Sequence, residues 1–207
     1  MEYKDQRRQN INLIIREWGE SIVIAFILAM FIRTFFLQAF RIPSGSMRMT
    51  LIEGDRLLVN KLDYGAKVPL TDRIEFLKEN LPHRLPGFGK PERGDVIVFI
   101  YPEDRKRDFI KRLIALGGET VEIRDGDVYI NGERVEDPLI KNTYYYNRGN
   151  YGRAGIPVKV PEGQYFVLGD NSASSHDSRF WGFVPEENVI GKAQVIYWPL
   201  NRIRFVK

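Results

Sequence analysis

The apolar residues of this chain form one continuous segment near the N-terminus and short, spaced runs elsewhere. Every residue from 22 to 32 is apolar, and after two polar residues the apolar character continues to Phe40. The 20 residues of 21–40 would form a helix about 30 Å long, roughly the hydrocarbon thickness of a bilayer. The pattern therefore predicts a transmembrane helix over 21–40, preceded by an N-terminal segment over 1–20.

The flanking sequence bears on the alternatives to a membrane anchor. Arg33 lies in the second half of the segment, where its long side chain could reach the nearer interface. A cleavable secretory signal fits poorly, because about 20 residues precede the apolar run and no pair of small residues marks a cleavage site. A buried core helix stays open, because the unbroken apolar stretch has 11 residues. The basic residues before the segment favour a cytoplasmic N-terminus, but others follow it, so charge alone does not fix the orientation.

Beyond residue 50 the pattern changes to short runs rich in Val, Ile, Tyr and Phe, separated by Gly, Pro, Asn and Asp. Such runs are typical of β-strands joined by turns. The predicted strands are Arg56–Asn60, Val96–Tyr101, Phe109–Leu116, Thr120–Arg124, Asp127–Ile130, Glu133–Val135, Tyr165–Leu168, Ala193–Trp198 and Arg202–Val206. Prolines and glycines predict a loop over 81–92, and a stretch rich in Tyr, Asn and Gly predicts an insertion or flap around 136–160. The sequence thus predicts a mainly β, antiparallel domain over 41–207, tethered by the helix.

Two dipeptides, Asp125-Gly126 and Asn131-Gly132, each separate two of these runs. Both suit the type I′ turn of a two-residue hairpin. We therefore expect a three-stranded meander over Thr120–Val135.

Composition and charge narrow the available chemistry. The 31 Lys and Arg exceed the 27 Asp and Glu by four, and no run of basic residues suggests a stripe that would follow phosphates, so nucleic acid is not expected as a partner. Cysteine is absent, and the histidines are His83 and His176, which excludes thiol nucleophiles and argues against a multi-histidine metal site. We expect no metal and no cofactor, and chemistry that depends on Ser, Thr, Lys, Asp, Glu or a single His.

Two segments hold a candidate nucleophile and a candidate base. In 41–51, Ser44 and Ser46 stand among Pro and Gly in a tight turn, which can expose a hydroxyl and bring backbone N–H groups together for an oxyanion. The same composition is also common in turns without a function. In 108–116, Lys111 stands inside an apolar strand, where poor solvation would lower its pKa and make the neutral amine a general base. The alternative is a strand edge at which the lysine reaches water.

A third segment, 169–179, places hydroxyls, two carboxylates, His176 and an arginine within 11 residues after a strand. Such a loop can orient a catalytic base through hydrogen bonds and a buried Asp–Arg pair, or it can be a polar loop held by its own turns. It also allows a different arrangement, in which Ser46, His176 and an aspartate form a triad. A further possibility is a tethered β module that binds peptides without catalysis.

Four motifs in the same order resemble those of bacterial type I signal peptidases, the membrane-anchored serine proteases that remove signal peptides from exported proteins. They are Ile42-Pro43-Ser44-Gly45-Ser46-Met47, Arg93-Gly94-Asp95-Val96-Ile97-Val98-Phe99, Ile110-Lys111-Arg112, and Gly169-Asp170-Asn171 followed by Ser175, Asp177, Ser178 and Arg179. The resemblance runs from the N-terminal anchor to the end of the chain. It implies an all-β catalytic region with a smaller inserted β region in the neighbourhood of 142–153.

The resemblance implies that Ser46 is the nucleophile and that neutral Lys111 is its general base. Ser44 would donate to the oxyanion beside the Ser46 backbone N–H. For this chemistry the lysine pKa must fall from ~10.4 towards ~7–8, on the order of 3–4 kcal/mol of desolvation. His176 occupies a position without a catalytic role in that family, which weakens the triad alternative.

Supporting and substrate-binding positions follow from the same resemblance. Ser175 would hydrogen-bond the Lys111 amine, and Asp177 and Arg179 would pair and brace their loop. The positions implied for the shallow pockets that accept small substrate residues are Ile42, Pro43, Met47, Leu51, Val98 and Ile110. Met49 departs from the family, which usually has proline there, and this puts the rigidity of the nucleophile turn in question.

The resemblance finally implies a substrate class and a location. The substrates would be precursor proteins bearing signal peptides, cleaved after small residues. The protein would span the bacterial plasma (inner) membrane once, with the catalytic domain on the extracytoplasmic, periplasmic face, near lipid and the protein export machinery. Ser46 follows Phe40 by six residues, which span at most ~20 Å when extended. We therefore expect the nucleophile close to the lipid surface.

Overall fold

A long N-terminal helix precedes a region of antiparallel strands. The computed structural model describes residues 2–68, 71, 75–82 and 84–206, and for 2–15, 75, 77 and 78 it describes the backbone alone. The helix, α1, is Glu2–Phe35. Its part Arg16–Phe35 has a mean hydropathy of 1.6 and is not buried by the rest of the chain. Among the described residues, this is the one helix long and apolar enough to cross a membrane.

The helix ends earlier than the predicted span of 21–40. The last helical hydrogen bond joins Phe36 N–H to the Ile32 carbonyl at 2.8 Å, and Leu37–Arg41 form strand β1. Each residue of β1 lies opposite one residue of Arg56–Asn60, strand β2. The prediction of a helix was wrong for 36–40. Residues 37–40 are extended because they pair with β2, and the local apolar pattern does not reveal a partner so distant in the sequence.

The described residues form twelve strands, and every pairing between them is antiparallel. After β1 and β2 come β3 Val96–Ile100, β4 Asp108–Ala115, β5 Thr120–Arg124, β6 Asp127–Ile130, β7 Glu133–Arg134, β8 Val158–Lys159, β9 Gln164–Leu168, β10 Val184–Pro185, β11 Val189–Trp198 and β12 Arg204–Phe205. The short helices are α2 Glu75–Asn80, α3 Pro138–Lys141 and α4 Ser178–Trp181, with 3-10 turns at Gly45–Met47, Ser172–Ser174, Glu186–Asn188 and Leu200–Arg202. The predicted fold class, mainly β with an N-terminal helix, is confirmed.

The strands form two sheets. The larger has the order β1-β2-β11-β3-β4-β9-β10, and β12 pairs with β11. The smaller has the order β7-β6-β5-β8 and is inserted between β4 and β9 of the larger sheet. It was predicted in the neighbourhood of 142–153, but its strands begin at Thr120. Residues 142–153 contain no strand and follow an irregular path, and their Tyr145 is buried in the core of this sheet.

The predicted strands all occur, with ends that shift by up to four residues. At both predicted hairpins the two turn residues have positive φ, 54° and 88° at Asp125 and Gly126, and 52° and 88° at Asn131 and Gly132. These are type I′ turns, and the predicted meander is confirmed by the pairing of β5, β6 and β7. The strands that sequence analysis missed are β1, β8 and β10. The predicted loop over 81–92 has its His83 outside the described residues.

Substitution of Gly149 and of Gly155 distinguishes backbone strain from steric overlap as effects of an added side chain in this inserted region. Both have a left-handed φ, 69° and 70°, so alanine at either position costs similar backbone strain, about 1 kcal/mol. At Gly149 the new Cβ would also lie 2.1 Å from the Arg179 carbonyl oxygen, whereas at Gly155 nothing lies within 4 Å. We expect Gly149→Ala to lower the Tm in detergent clearly more than Gly155→Ala does. Equal shifts would contradict packing of this segment on Arg179.

Candidate active site

Ser46 lies in the 3-10 turn Gly45–Met47, which is anchored on both sides. Before it, the buried Ile42 makes two backbone hydrogen bonds of 2.9 Å, through its N–H and its carbonyl, to the chain that leads into β2. After it, Thr50 N–H donates to the Met47 carbonyl at 2.8 Å. Met49 is 73% exposed. The turn therefore depends on these hydrogen bonds and on the buried Met47 side chain, without the proline typical of this position.

Lys111 lies on β4, opposite Ile97 of β3, and its side chain reaches the nucleophile turn. Its Nζ lies 2.7 Å from Ser46 Oγ and donates to the Ile110 carbonyl at 3.0 Å. Lys111 is 4% exposed and Ser46 8% exposed. The two residues are 65 positions apart in the sequence, so the sheet brings them together.

Burial lowers the pKa of Lys111 from an ordinary 10.5 to about 8. The charges of Asp177 and Asp170 act against this shift, and the charge of Arg179 adds to it. Burial is the largest of these effects, and each carboxylate is paired with an arginine through two hydrogen bonds. At this pKa roughly a tenth of the amine is neutral at pH 7, which makes a usable base.

The loop after β9 packs directly on the nucleophile turn. Asn171 N–H donates to the Ser46 carbonyl at 3.0 Å, and the Asn171 side chain donates to the Gly45 carbonyl at 2.9 Å. At Gly169 a Cβ would lie 2.1 Å from Ser175 Oγ and 2.6 Å from the Ser46 carbonyl oxygen. Sequence analysis quoted Gly169 and Asn171 without giving them a role. They fix the backbone of Ser46 against the loop.

Ser175 lies at this contact but does not make the hydrogen bond to Lys111 that the resemblance implied. Its Oγ is buried and has no hydrogen-bond partner among the described residues. The Lys111 amine is bonded instead to Ser46 and to the Ile110 carbonyl. The prediction of a hydrogen bond between Ser175 and Lys111 was therefore wrong. The Ser175 side chain packs against Gly169, where the absence of a Cβ leaves space for it.

Asp177 and Arg179 form a fully buried ion pair. Arg179 donates through Nε to Asp177 Oδ1 and through Nη2 to Oδ2, both at 2.8 Å, and neither side chain is exposed. Arg179 also donates to the Tyr146 carbonyl and to Ser172 Oγ at 2.8 Å, and Asp177 accepts from Gly169 N–H at 3.1 Å. The pair thus ties the loop to the inserted region and to the end of β9. Loss of one partner would leave a buried unpaired charge.

A second buried ion pair, Arg112–Asp170, was not identified from the sequence. Arg112 donates to the two carboxylate oxygens at 2.8 and 2.6 Å and to the Gly94 carbonyl at 2.6 Å, while Thr50 Oγ1 donates to Asp170 at 2.5 Å. A signal for it exists in the sequence. Lys111 and Arg112 are consecutive in an apolar strand and so point to opposite faces. The two side chains therefore cannot both reach solvent on the same side of the sheet. At least one cation is then expected to be buried, and a buried cation needs a partner.

A cleft of about 610 Å³ opens over Ser46 and Lys111. Its lining residues are Pro43, Ser44, Gly45, Ser46, Arg48, Glu53, Arg107, Asp108, Phe109, Ile110, Lys111, Asn171, Ser174 and His176. Of the positions implied for substrate binding, Pro43 and Ile110 line the cleft. The other four are buried in the apolar cluster that Ile110 packs against, and these are Ile42, Met47, Leu51 and Val98. These four side chains face the interior. They support the wall of the cleft from behind and are not part of its surface.

Ser44 and His176 both line this cleft. Ser44 is exposed beside Ser46, with an extended backbone and no side-chain capping bond. His176 is also exposed, and its Nε2 lies 3.3 Å from Tyr101 Oη. No hydrogen bond joins His176 to Ser46 or to an aspartate among the described residues. The described residues, which do not include His83, contain no group of three or more His, Cys, Asp or Glu that could hold a metal.

A serine hydroxyl in contact with a poorly solvated lysine amine, at the base of an open cleft, has the geometry of serine hydrolases that use an amine as the base. Residues 15–198 match the family described as Signal peptidase, peptidase S26. The chain therefore belongs to this family, and the resemblance of its four motifs is confirmed. It is a serine peptidase that cleaves signal peptides, and its apolar helix is compatible with membrane anchoring.

Several individual proteins are similar to this chain. The chain is 40% identical to Signal peptidase I of Leptolyngbya laminosa, over 91% of this chain and 82% of that protein. It is 36% identical to Signal peptidase I T of Bacillus subtilis, over 92% of this chain and 89% of the relative. A crystal structure of a signal peptidase I from Enterococcus faecalis is 41% identical, covering 50% of this chain and 97% of that chain, with a TM-score of 0.41.

Lys111→Met should alter how stability depends on pH. Burial sets the folded pKa of Lys111 at about 8 against an ordinary 10.5, so the unfolded state binds more protons between these values. Wild-type stability therefore rises with pH across that window. Methionine removes the buried charge, and we expect a higher Tm than wild type at pH 7, with the difference shrinking towards pH 10.5. Thermal unfolding in detergent at a series of pH values, with Ser46→Ala as an uncharged control, measures this. A difference independent of pH would contradict it.

Proposed function

We propose that the protein cleaves signal peptides after small residues by attack of Ser46, with Lys111 as the general base. The observation that supports this most directly is the 2.7 Å contact between Lys111 Nζ and Ser46 Oγ. Burial also brings the pKa of Lys111 to about 8, where the neutral amine is accessible. A base must lie within hydrogen-bond reach of its proton and have a pKa near the working pH, and this pair meets both conditions.

The proposed reaction proceeds in two stages. The Lys111 amine takes the Ser46 proton as Oγ bonds to the substrate carbonyl carbon. The resulting ammonium gives that proton to the leaving amine, the C–N bond breaks, and the signal peptide is left as an ester on Ser46. Water, deprotonated by the same amine, then hydrolyses the ester and restores the hydroxyl.

The oxyanion would form against Ser44 and the Ser46 backbone N–H. The first N–H groups of a helical turn have no acceptor within the turn, and Ser46 lies in such a turn. The Ser44 hydroxyl makes no capping bond and stands on the cleft surface. Both donors are therefore available to a developing negative charge. The Asp177–Arg179 pair would act indirectly, by holding the loop that carries Gly169 and Asn171 against the turn.

Selection for small residues would arise from the packing behind the cleft. Ile110 lines the cleft and lies against the cluster that contains Met47, Leu51 and Val98. These side chains are exposed by 2% or less, so little space remains for a large substrate side chain beside Ser46. Overpacking of such an interior is unfavourable, which would favour alanine-sized residues at the scissile bond.

The proposal includes a location. Arg16–Phe35 would cross the plasma membrane once, with the N-terminus in the cytoplasm and the β region on the extracytoplasmic face. Ser46 follows the last helical residue, Phe35, by eleven positions, at most ~36 Å of chain. A precursor whose apolar segment is embedded in the lipid would present its scissile bond at this height. Lipid and the export machinery would then be the neighbours of the cleft.

Ser46→Ala and Lys111→Ala test the mechanism with the detergent-solubilised full chain and a signal-bearing precursor. We expect wild type to release a product whose N-terminus follows a small residue. Each substitution should lower kcat/KM by at least ~10³-fold, because nucleophile and base act as a unit. His176→Ala is the control from the same cleft and should retain cleavage. Full activity in Lys111→Ala, or loss confined to His176→Ala, would assign the base to histidine instead.

The pH dependence of the same reaction follows from the lysine. The neutral amine is the active form and burial sets its pKa at about 8. We therefore expect kcat/KM to rise about tenfold per pH unit below this value and to level off above it. Steady-state cleavage between pH 5 and 10 measures the profile, and His176→Ala should leave it unchanged. A profile that is already level at ~6.5 would indicate an imidazole base.

A further inference from the structure

One side chain of the β region holds the C-terminal end of α1. Lys61 Nζ donates to the carbonyl oxygens of Arg33 at 3.0 Å and of Thr34 at 3.2 Å. The Lys61 backbone N–H donates to the Phe36 carbonyl at 2.9 Å. The last carbonyls of a helix have no partner within it and carry partial negative charge, which a cation satisfies. A single residue thus binds three carbonyls where the helix meets the sheet.

Lys61 also interacts with the wall of the catalytic cleft. Asp108 lines the cleft at the start of β4, the strand that carries Lys111. Burial lowers the pKa of Lys61 and the charge of Arg33 lowers it further, whereas the charge of Asp108 raises it. Burial raises the pKa of Asp108, and the charges of Lys67 and Lys61 lower it. The charges of Lys61, at the helix end, and of Asp108, in the cleft, therefore stabilise each other.

The backbone that carries Lys61 is held firmly. It directly follows β2, which pairs with β1 on one side and β11 on the other. In the turn that follows, Asn60 donates to Asp63 and accepts from Leu62 N–H, both at 2.9 Å. Gln194 of β11 donates to the same Asp63 at 2.9 Å. The position of the Lys61 ammonium is therefore set by the sheet and by the hydrogen-bonded turn that follows β2.

We infer that Lys61 is a positioning residue that fixes the orientation of the catalytic cleft relative to the membrane helix. The inference rests on the proposed function, in which the scissile bond of a lipid-embedded precursor must meet Ser46. An embedded substrate has a fixed height and direction, so a helix free to swing would misplace the cleft and lose the advantage of orientation. A soluble peptide can enter the cleft whatever the direction of the helix.

Lys61→Met keeps the length of the side chain and removes its charge and donors. The full-length protein is placed in liposomes and given either a soluble peptide that spans a cleavage site or a precursor whose signal segment lies in the same bilayer. We expect kcat/KM for the peptide to stay within about twofold, and that for the embedded precursor to fall by at least ~10-fold. Lys61→Arg should restore most of the loss, since arginine also donates to carbonyls. Lys159→Met, at an exposed lysine on β8, is the matched control and should have no effect.

A distance measurement provides a readout that does not depend on activity. The sequence contains no cysteine, so Ile24→Cys on α1 and Lys106→Cys beside the cleft introduce one pair of spin labels. We expect a narrow distribution of label distances in the otherwise unchanged protein and in Lys61→Arg, and a broad one in Lys61→Met. The peptide assay and the Tm of each variant report on folding.

The outcomes separate this inference from the proposed function. A narrow distribution in Lys61→Met together with normal cleavage of the embedded precursor would overturn the inference. Equal losses on both substrates with a lowered Tm would also overturn it, because they indicate a general role in folding. Normal cleavage by Ser46→Ala would instead overturn the proposed function, and the label distances would still decide whether Lys61 joins the helix to the cleft.

Discussion

Lys111 is buried except for the small part that lines the cleft, and this burial is the largest cause of its lowered pKa. Two carboxylates, Asp177 and Asp170, raise the pKa of the amine, but burial is the larger effect. Each is bound by an arginine through two hydrogen bonds, Asp170 by Arg112 and Asp177 by Arg179. The charge of Arg179 lowers the pKa of Lys111 further and so acts in the same direction as burial. The same burial costs stability while the lysine is charged, on the order of 3 kcal/mol for a shift of this size.

The fold assembles the site from three segments that are far apart in the sequence. The antiparallel neighbours β3, β4 and β9 bring Lys111 and the loop after β9 to one place. The nucleophile turn is then held from below by the buried Met47 and from the side by Asn171. Gly169 allows the close approach, because any side chain there would overlap both Ser175 and the Ser46 backbone. Rigid surroundings of this kind keep reacting groups oriented before the substrate arrives.

The apolar helix α1 and the larger sheet are directly connected. α1 ends at Phe35 and the chain enters β1 after one residue, so the helix is followed at once by an edge strand of the larger sheet. Lys61 binds the carbonyls at this junction. Under the proposed function, the substrate carries its own apolar segment, and a fixed joint between α1 and the sheet would match the geometry that such a substrate imposes.

Features that depend on near neighbours along the chain could be predicted from the amino-acid pattern. The length of the apolar run predicted the N-terminal helix, period-two runs predicted the strands, and Asp125-Gly126 and Asn131-Gly132 predicted their hairpins. The local patterns around Ser46 and Lys111 left readings without a function open, and it was the resemblance of four motifs to a family that implied their roles. The end of α1, the Arg112–Asp170 pair, the unpartnered Ser175 and the burial of Met47 became evident only in the folded chain. Each of these depends on contacts between residues distant along the chain, and a local pattern specifies which face is apolar but not what will pack against it.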